Sequence, residues 1–171
     1  MTDTTTPFAA IILAAGKGTR MKSDKHKVLH PIAGKPMIAH LLDSFATLSL
    51  ARTVVVAGDR REQLKAALEG RGVTIALQEP QLGTAHAALM AKAALADFDG
   101  DVLVCFGDCP MVRAETVQAM FDRLHGADSP ATVVLGFEPA DPLHYGRVIA
   151  DDDGRILKMV EYKDADEGER A

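Results

Sequence analysis

The chain has 171 residues, of which 47% are hydrophobic and 25% charged, a balance typical of one ordinary soluble domain with enough apolar side chains for a core. Its formal net charge of -5 argues against binding polymeric nucleic acid, because such binding requires a broad basic face that neutralises many phosphates. The longest apolar stretch, 8–15, is far below the roughly 20 residues needed to cross a bilayer, and residues 1–7 lack the basic segment of a signal peptide. These properties predict a cytoplasmic protein that does not bind membranes, with 1–7 as a disordered leader and 8–171 as a single domain.

Short runs rich in β-branched residues alternate with helical patterns along most of the chain. This alternation is typical of a parallel sheet whose strands are joined by crossover helices. Apolar residues three or four positions apart predict one helix over 37–45 and another around Val117–Leu124. Further helices fit the patterns of 60–68 and 84–95. The predicted strands are 8–13, 53–57, 73–77 and 102–106.

The pattern changes after residue 130, where apolar runs are separated by Asp, Pro and Gly. Residues 151–154, Asp-Asp-Asp-Gly, are typical of a hairpin turn. The sequence therefore predicts an α/β fold whose sheet becomes mixed in this half, with strands over 131–137, 147–150 and 156–162. The last segment, 163–171, is polar apart from alanine, so we expect an unpacked tail or a cut end.

The first predicted strand runs directly into a loop rich in glycine and positive charge, residues 13–21, LAAGKGTRM. Gly16 and Gly18 permit backbone conformations closed to other residues, so that successive N–H groups can converge on an anion. Ligands of open α/β sheets bind beyond the carboxyl ends of the strands, and 78–84 and 107–108 also follow predicted strands. The sequence thus predicts a phosphate site at this end of the sheet, supplied with local positive charge by Lys17, Arg20, Lys22, Lys25 and Lys27.

The loop lacks the spacing of the two common phosphate-binding motifs. A dinucleotide fingerprint requires a third glycine three residues after Gly18, where this chain has Met21. Asp59, the candidate ribose-binding acid, lies 41 residues beyond Gly18, about twice the expected separation of ~20. The Walker A pattern of a glycine followed five residues later by Gly-Lys-Ser/Thr is absent as well. Both motifs are therefore excluded.

Six motifs occur in order along nearly the whole chain, at 13–21, 27–37, 81–86, 106–111, 145–147 and 160–164. Taken together, they resemble the motifs of the sugar-phosphate nucleotidyltransferases. The nearest resemblance is to the uridylyltransferase (pyrophosphorylase) domain of the bacterial bifunctional N-acetylglucosamine-1-phosphate uridyltransferase/glucosamine-1-phosphate acetyltransferase family. It implies a three-layer Rossmann-like nucleotidyltransferase fold, with a mixed, mostly parallel sheet flanked by helices.

The resemblance implies transfer of a nucleoside monophosphate from UTP to N-acetylglucosamine 1-phosphate, with Mg²⁺ as cofactor, giving UDP-N-acetylglucosamine and pyrophosphate. Arg20 and Lys27 are the implied catalytic residues, and Asp108 is the implied metal ligand. The other loop cations, Lys17, Lys22 and Lys25, are expected to be peripheral. Gly146 and Glu161 match positions that bind the sugar phosphate. The implied nucleotide-binding residues, among them a glutamine whose amide would pair with the uracil imide, are Leu13, Ala14, Ala15, Gly16, Gly18, Thr19, Gln78, Gly83 and Thr84. Since the reaction requires no imidazole, all six histidines are expected to be structural.

The chain departs from this family in two places. The family usually has proline before the loop lysine, whereas His26 precedes Lys27, which predicts a less rigid approach to that lysine. The chain stops at Ala171, before two asparagines that would bind sugar and metal, so the domain is expected to be truncated at its C-terminal end. The resemblance implies that full-length relatives trimerise through a C-terminal domain, which we expect to be absent here.

Two alternatives to an active uridylyltransferase stay open. One is a catalytically incomplete nucleotide-binding fragment, which would bind uridine triphosphate with Mg²⁺ and release no pyrophosphate. The other is a nucleotidyltransferase of different specificity, such as a cytidylyltransferase or the guanylyltransferase of molybdenum cofactor. The motifs at 145–147 and 160–164 disfavour this second alternative.

Overall fold

A computed structural model describes residues 6–16 and 18–170 of the chain. Most of the predicted leader lies outside the described residues, as do Lys17 and Ala171. The chain divides into two compact units, the first ending at Asp122 and the second beginning at Arg123. The single domain expected over 8–171 stays a prediction.

Short strands alternate with helices through the first unit, and each element expected there is found to within a few residues. The strands of both units, in chain order, are β1 (Phe8–Ala14), β2 (Pro31–Ile32), β3 (Lys35–Pro36), β4 (Leu50–Ala57), β5 (Thr74–Leu77), β6 (Asp101–Phe106), β7 (Arg147–Ala150) and β8 (Ile156–Val160). The helices are α1 (Met37–Phe45), α2 (Arg61–Leu68), α3 (Thr84–Met90), α4 (Ala114–Leu124) and α5 (Glu167–Arg170). Short 3₁₀ turns lie at Thr19–Met21, Lys27–Leu29 and Lys92–Leu95, so the helix expected over 84–95 is split. None of the described helices is both long and apolar enough to cross a bilayer.

Strands β5, β4, β1 and β6 form, in that order, a four-stranded sheet in which every pair is parallel. The central strand β1 is buried from Ala9 to Ala14, as expected for a parallel strand covered on both faces. The chain runs outward from β1 through β4 to β5 and then returns to the other side of β1 as β6. This reversal creates a switch point between β1 and β6, the place where α/β sheets bind ligands.

Helices cover both faces of this sheet around β1. On one face, Ile11 and Leu13 pack in a cluster that includes Ala87 of α3. Side chains alternate along a strand, so Phe8 points to the opposite face, and its ring stacks on that of Phe121 in α4 with the centroids 4.1 Å apart. The α/β fold with a helix layer on each side of the sheet is therefore confirmed.

The second unit contains an antiparallel hairpin in which β7 pairs with β8. The expected turn at 151–154 is present, with the Gly154 N–H donating to the Asp151 carbonyl oxygen over 2.9 Å. The hairpin does not extend the parallel sheet into a mixed one, because within the described residues its strands pair only with each other. The strand expected over 131–137 is wrong. A strand requires neighbouring backbone to satisfy its N–H and C=O groups, and none of the described strands pairs with this segment.

The segment after Lys163 packs within the second unit, so the expectation of an unpacked tail is wrong for its described part. It forms α5, and Ala165 before that helix is 4% exposed. The Arg170 guanidinium lies 4.9 Å from the centroid of the Tyr162 ring. The Arg147 Nη2 donates to the Arg170 carbonyl oxygen over 2.9 Å, which ties the helix to the hairpin. The segment has no large apolar side chain, and a buried alanine together with a cation–π contact holds it in place instead.

Candidate functional site

A cavity of about 440 Å³ lies beyond the carboxyl ends of β1 and β6, at the switch point of the sheet. Backbone hydrogen bonds hold its walls together: the Gly107 N–H donates to the Leu13 carbonyl oxygen (2.9 Å) and the Gln78 N–H to that of Ala57 (2.8 Å). The strand order thus brings together residues that are distant in sequence. The lining residues are Leu13, Ala14, Ala15, Gly16, Lys27, Val28, Gln78, Gln81, Gly83, Thr84, Ala87, Phe106 and Asp108.

Five of the residues expected in the site do not line this cavity. Gly18 and Thr19 line another cavity, of about 350 Å³, together with Asp59 and Arg60. Arg20 lines neither cavity, and its side chain is exposed. The remaining two, Gly146 and Glu161, belong to the second unit. There they are close neighbours, since a Cβ added at Gly146 would lie 3.8 Å from a Glu161 carboxylate oxygen.

The loop after β1 depends on one of its two glycines for its conformation. Gly18 has φ of 59° in the left-handed region, and a Cβ there would lie 3.0 Å from the Cβ of Lys27. Gly16, in contrast, is outside the left-handed region and has open space around it. Gly18 therefore lets the chain reverse and pack directly against Lys27, whereas Gly16 leaves one side of the cavity wall open.

Hydrogen bonds anchor the segment before Lys27 to helix α2. His26 is 2% exposed, and its backbone N–H donates to Gln63 Oε1 over 2.8 Å. The Gln63 Nε2 in turn donates to the Asp24 carbonyl oxygen over 2.8 Å. The His26 Nδ1 accepts a hydrogen bond from the Val28 N–H (3.4 Å) and so caps the 3₁₀ turn that begins at Lys27. The approach to Lys27 is thus restrained without proline, contrary to the less rigid approach expected.

Lys27 and Asp108 meet inside the cavity. The Lys27 ammonium forms an ion pair with Oδ2 of Asp108, and both side chains are about one-third exposed, at 32% and 30%. Lys27 enters from the 3₁₀ turn after the loop, and Asp108 from the segment that follows β6. A compact cation and a carboxylate therefore face the same space, one suited to phosphate oxygens and the other to a hard metal ion.

The two cysteines near Asp108 are unsuited to nucleophilic chemistry. Burial raises the pKa of the Cys105 thiol to about 12. Burial also raises the pKa of Cys109, and the charge of Asp108 adds to this effect. Because the thiolate is the nucleophilic form of cysteine, these raised pKa values favour the protonated, less reactive form of both side chains.

The amide of Gln78 is buried in the wall of the cavity and is held by two acceptors. Gln78 is 5% exposed, and its Nε2 lies 2.8 Å from the Gly83 carbonyl oxygen and 3.1 Å from Nδ1 of His86. The expectation that all histidines are merely structural thus overlooked a direct contact between His86 and an expected base-binding residue.

Gln81, which was not among the expected site residues, also lines the cavity. Its Nε2 donates to the Ala15 carbonyl oxygen over 2.6 Å, which joins the segment after β5 to the loop after β1. Gly58 makes room for this bond, because a Cβ there would lie 2.3 Å from the Gln81 Nε2 and 2.6 Å from the Ala15 oxygen. The motif at 81–86 contained Gln81, but only the strand order indicates which backbone carbonyl it reaches.

The residues around Asp108 fit a divalent cation that is shared with a phosphate ligand. Within the described part of the chain, no group of three or more His, Cys, Asp or Glu side chains could enclose a metal by itself. Mg²⁺ typically binds through one or two carboxylates together with substrate phosphates and water. A single carboxylate facing an open cavity is compatible with that mode of binding.

The sequence matches the model of a known protein family along most of its length. Residues 10–170 match the MobA-like NTP transferase domain. Among curated proteins, the bifunctional protein GlmU of Novosphingobium aromaticivorans is 68% identical over 165 residues, which are 96% of this chain and 36% of the relative. The chain therefore spans little more than a third of the length of that relative.

Solved structures at lower sequence identity share the fold. HddC from Yersinia pseudotuberculosis has a TM-score of 0.67 at 21% identity, over 90% of this chain and 68% of that chain. Rv0371c from Mycobacterium tuberculosis, in its complex with manganese, has a TM-score of 0.54 at 21% identity, over 68% of this chain and 59% of that chain. The fold, the cavity at its switch point and the match over residues 10–170 agree: the chain belongs to the family of MobA-like NTP transferase domains.

Proposed function

We propose that this chain is a uridylyltransferase domain that joins the nucleoside monophosphate of UTP to N-acetylglucosamine 1-phosphate and releases pyrophosphate. The observation that carries the proposal is the convergence of Lys27, Gln78 and Asp108 on one cavity of about 440 Å³, a volume within the usual range of small-molecule sites. The identity to GlmU supports the choice of substrates, since the family match alone leaves base and sugar open.

The proposed reaction needs no nucleophile from the protein. A phosphate oxygen of the sugar 1-phosphate attacks the α-phosphorus of UTP, a new P–O bond forms, and the bond to the departing pyrophosphate breaks. The attacking oxygen is already ionised at neutral pH. The raised pKa values of Cys105 and Cys109 favour protonated thiols, which is consistent with this direct transfer. Catalysis then consists of positioning the two phosphates and neutralising their charge.

The loop after β1 supplies the proposed triphosphate grip. Residues 14–16 line the cavity wall, and their backbone N–H groups would bind phosphate oxygens. Lys27 would neutralise charge that develops in the transition state. Arg20 can form two parallel hydrogen bonds with phosphate, although it must reach the ligand from outside the cavity lining. Gly18 and Thr19 shape the return of the loop.

We propose Mg²⁺ as the cofactor and Asp108 as its ligand from this chain. When bound, the cation would neutralise negative charge on the substrate phosphates. The manganese complex of Rv0371c supports only the idea that this fold accommodates a divalent cation. A cation at Asp108 would compete with the Lys27 ammonium for that carboxylate, and the lysine would then be free for phosphate.

We propose that Gln78, Gly83 and Thr84 bind the base, and that Gly146 and Glu161 bind the sugar phosphate. Gln78 is a buried amide in the cavity wall, where a base could contact it without competing water. In the second unit, the proximity of Gly146 and Glu161 makes a shared role for a backbone N–H and a carboxylate chemically reasonable.

The proposal is tested by measuring pyrophosphate release from four nucleoside triphosphates, each combined with N-acetylglucosamine 1-phosphate or glucose 1-phosphate and Mg²⁺. We expect release only with UTP and the acetylated amino sugar. Asp108→Asn, which keeps the shape of the side chain and removes its charge, is the matched variant and should lose the activity.

Other outcomes identify the alternatives. Calorimetric binding of UTP with Mg²⁺, without pyrophosphate release under any condition, would identify a nucleotide-binding fragment. Release with CTP or GTP in place of UTP would identify a transferase of different specificity and overturn the assignment of the base.

A further inference from the structure

We propose that His86 is a positioning residue that fixes the amide of Gln78, so that its oxygen faces the base and the site prefers uracil to cytosine. This inference rests on the proposed function, in which Gln78 contacts the base of a uridine nucleotide. It assigns a role in specificity to a histidine that touches neither phosphate in the proposed reaction.

The contacts of Gln78 determine which way its amide points. The Gly83 carbonyl oxygen lies 2.8 Å from the amide nitrogen of Gln78. A carbonyl can only accept a hydrogen bond, so the reversed amide would place two acceptor oxygens against each other. The nitrogen of Gln78 must therefore face Gly83.

The same nitrogen lies 3.1 Å from Nδ1 of His86, at the start of helix α3. The amide nitrogen of Gln78 carries two hydrogens, and one of them is already given to Gly83. Nδ1 of His86 can accept the second one only if it carries no proton, so the proton of the neutral imidazole is on Nε2. Both donors of Gln78 are then engaged by the protein.

The group that Gln78 still offers to a ligand is its oxygen. Among the described residues no hydrogen bond to this oxygen is formed, and Gln78 lines the cavity. A glutamine amide that makes no bonds within the protein would present a donor and an acceptor side by side. With both hydrogens of its nitrogen engaged, Gln78 offers a ligand an acceptor and no donor.

An isolated acceptor distinguishes the two pyrimidine bases. Uracil has an N3–H that can donate to the Gln78 oxygen, whereas the N3 of cytosine carries a lone pair that would face that oxygen. Burying an acceptor opposite another acceptor costs more binding free energy than a matched hydrogen bond contributes. Without His86, the amide keeps only its bond to Gly83 and can turn more easily, so the penalty against cytosine should decrease.

The test compares the affinities of the chain for UTP and CTP, each with Mg²⁺, by titration calorimetry. His86→Leu removes the acceptor and keeps an apolar side chain of similar size. His86→Asn restores an acceptor, because Oδ1 of asparagine is as many bonds from Cα as Nδ1 of histidine. His40→Leu is the control, since His40 bonds to the Ile32 carbonyl oxygen and does not line the cavity.

We expect wild type and His40→Leu to prefer UTP, and His86→Leu to reduce the ratio of UTP to CTP affinity by about tenfold, the effect of one hydrogen bond of about 1.4 kcal/mol. His86→Asn should restore most of the ratio. The inference would be overturned if His86→Leu lowered the affinities for both nucleotides by the same factor, if it left the ratio unchanged, or if His86→Asn did not restore the ratio. The proposed function would then remain intact. A wild-type chain that does not discriminate between the two nucleotides would overturn both, and no variant is needed to see it.

Discussion

Lys27 and Asp108, 81 positions apart in the sequence, form an ion pair inside the cavity. The proposed function assigns the lysine to phosphate and the aspartate to a metal ion, so each must exchange its partner when the ligands bind. The pair neutralises two charges that would otherwise face the same space unpaired. It also means that the Lys27 ammonium and a divalent cation compete for one carboxylate.

Replacing Lys27 with methionine should therefore tighten the binding of Mn²⁺ in the absence of nucleotide. The side chains are about one-third exposed, so the competing pair is weak and the expected gain is modest, about two- to fivefold in affinity. Titration followed by electron paramagnetic resonance of free Mn²⁺ measures it directly. Lys22→Met, which removes an exposed cation outside the cavity, should not change the affinity, and Asp108→Asn should abolish binding. Unchanged or weaker binding in Lys27→Met would contradict the competition.

Removing either proposed phosphate-binding side chain should slow turnover. We expect Arg20→Ala and Lys27→Ala each to lower the rate of pyrophosphate release at least about tenfold, corresponding to roughly 1.4 kcal/mol of barrier. The physical reason is the loss of a cation that neutralises charge in the transition state. Steady-state rates are the measurement, and Lys22→Ala is the matched control. If both variants keep the wild-type rate, the assignment of these two residues fails.

The sequence predicted the elements of the first unit because they depend on local patterns. The apolar run that becomes β1 and the stripe that includes Val117 and Phe121 are visible without any tertiary contact. It also predicted the end of the sheet at which the cavity lies, because polar residues such as Gln78 and Asp108 follow strands. Most of the residues that line the cavity follow from that rule.

The predictions that were wrong or incomplete concern contacts between residues that are distant in the sequence. The segment 131–137 has the composition of a strand, but pairing depends on a partner elsewhere in the chain. Because His26 replaces the usual proline, a less rigid approach to Lys27 was expected. The backbone of His26 is nevertheless anchored by Gln63, which is distant in the sequence. The partner of Gln78 could not be inferred either, since the bond to His86 requires both the end of β5 and the first turn of α3. These contacts are set by tertiary structure.

The buried imidazole of His26 should make stability depend on pH. Burial lowers the pKa of His26 from 6.5, although the Ala14 carbonyl and Asp59 oppose the shift. The unfolded chain therefore takes up a proton as the pH falls through 6.5, while the folded chain does not until a lower pH. The free energy of unfolding should decrease over that interval and level off below the folded pKa.

His26→Asn provides the comparison, because asparagine can still cap the turn at Lys27 but does not titrate. Urea denaturation at a series of pH values from about 7.5 to 4.5 gives the free energy of unfolding of both proteins. We expect the wild-type curve to fall more steeply than the His26→Asn curve below pH 6.5. Parallel curves would show that His26 is not the group responsible.

Gly58→Ala should both destabilise the first unit and weaken nucleotide binding. The added Cβ would lie 2.6 Å from the Ala15 carbonyl oxygen, a backbone atom, and 2.3 Å from the Gln81 Nε2. Relief of these overlaps must displace the wall of the cavity, at an expected cost of about 1–3 kcal/mol in the free energy of unfolding. Gly136→Ala is the control and should stay within about 0.5 kcal/mol of wild type, since its Cβ would meet nothing within 4 Å. Urea denaturation gives the stability, and UTP calorimetry shows whether the bond between Gln81 and Ala15 supports the site. A Gly58→Ala protein as stable as the control, with unchanged UTP affinity, would mean that the wall can yield without loss.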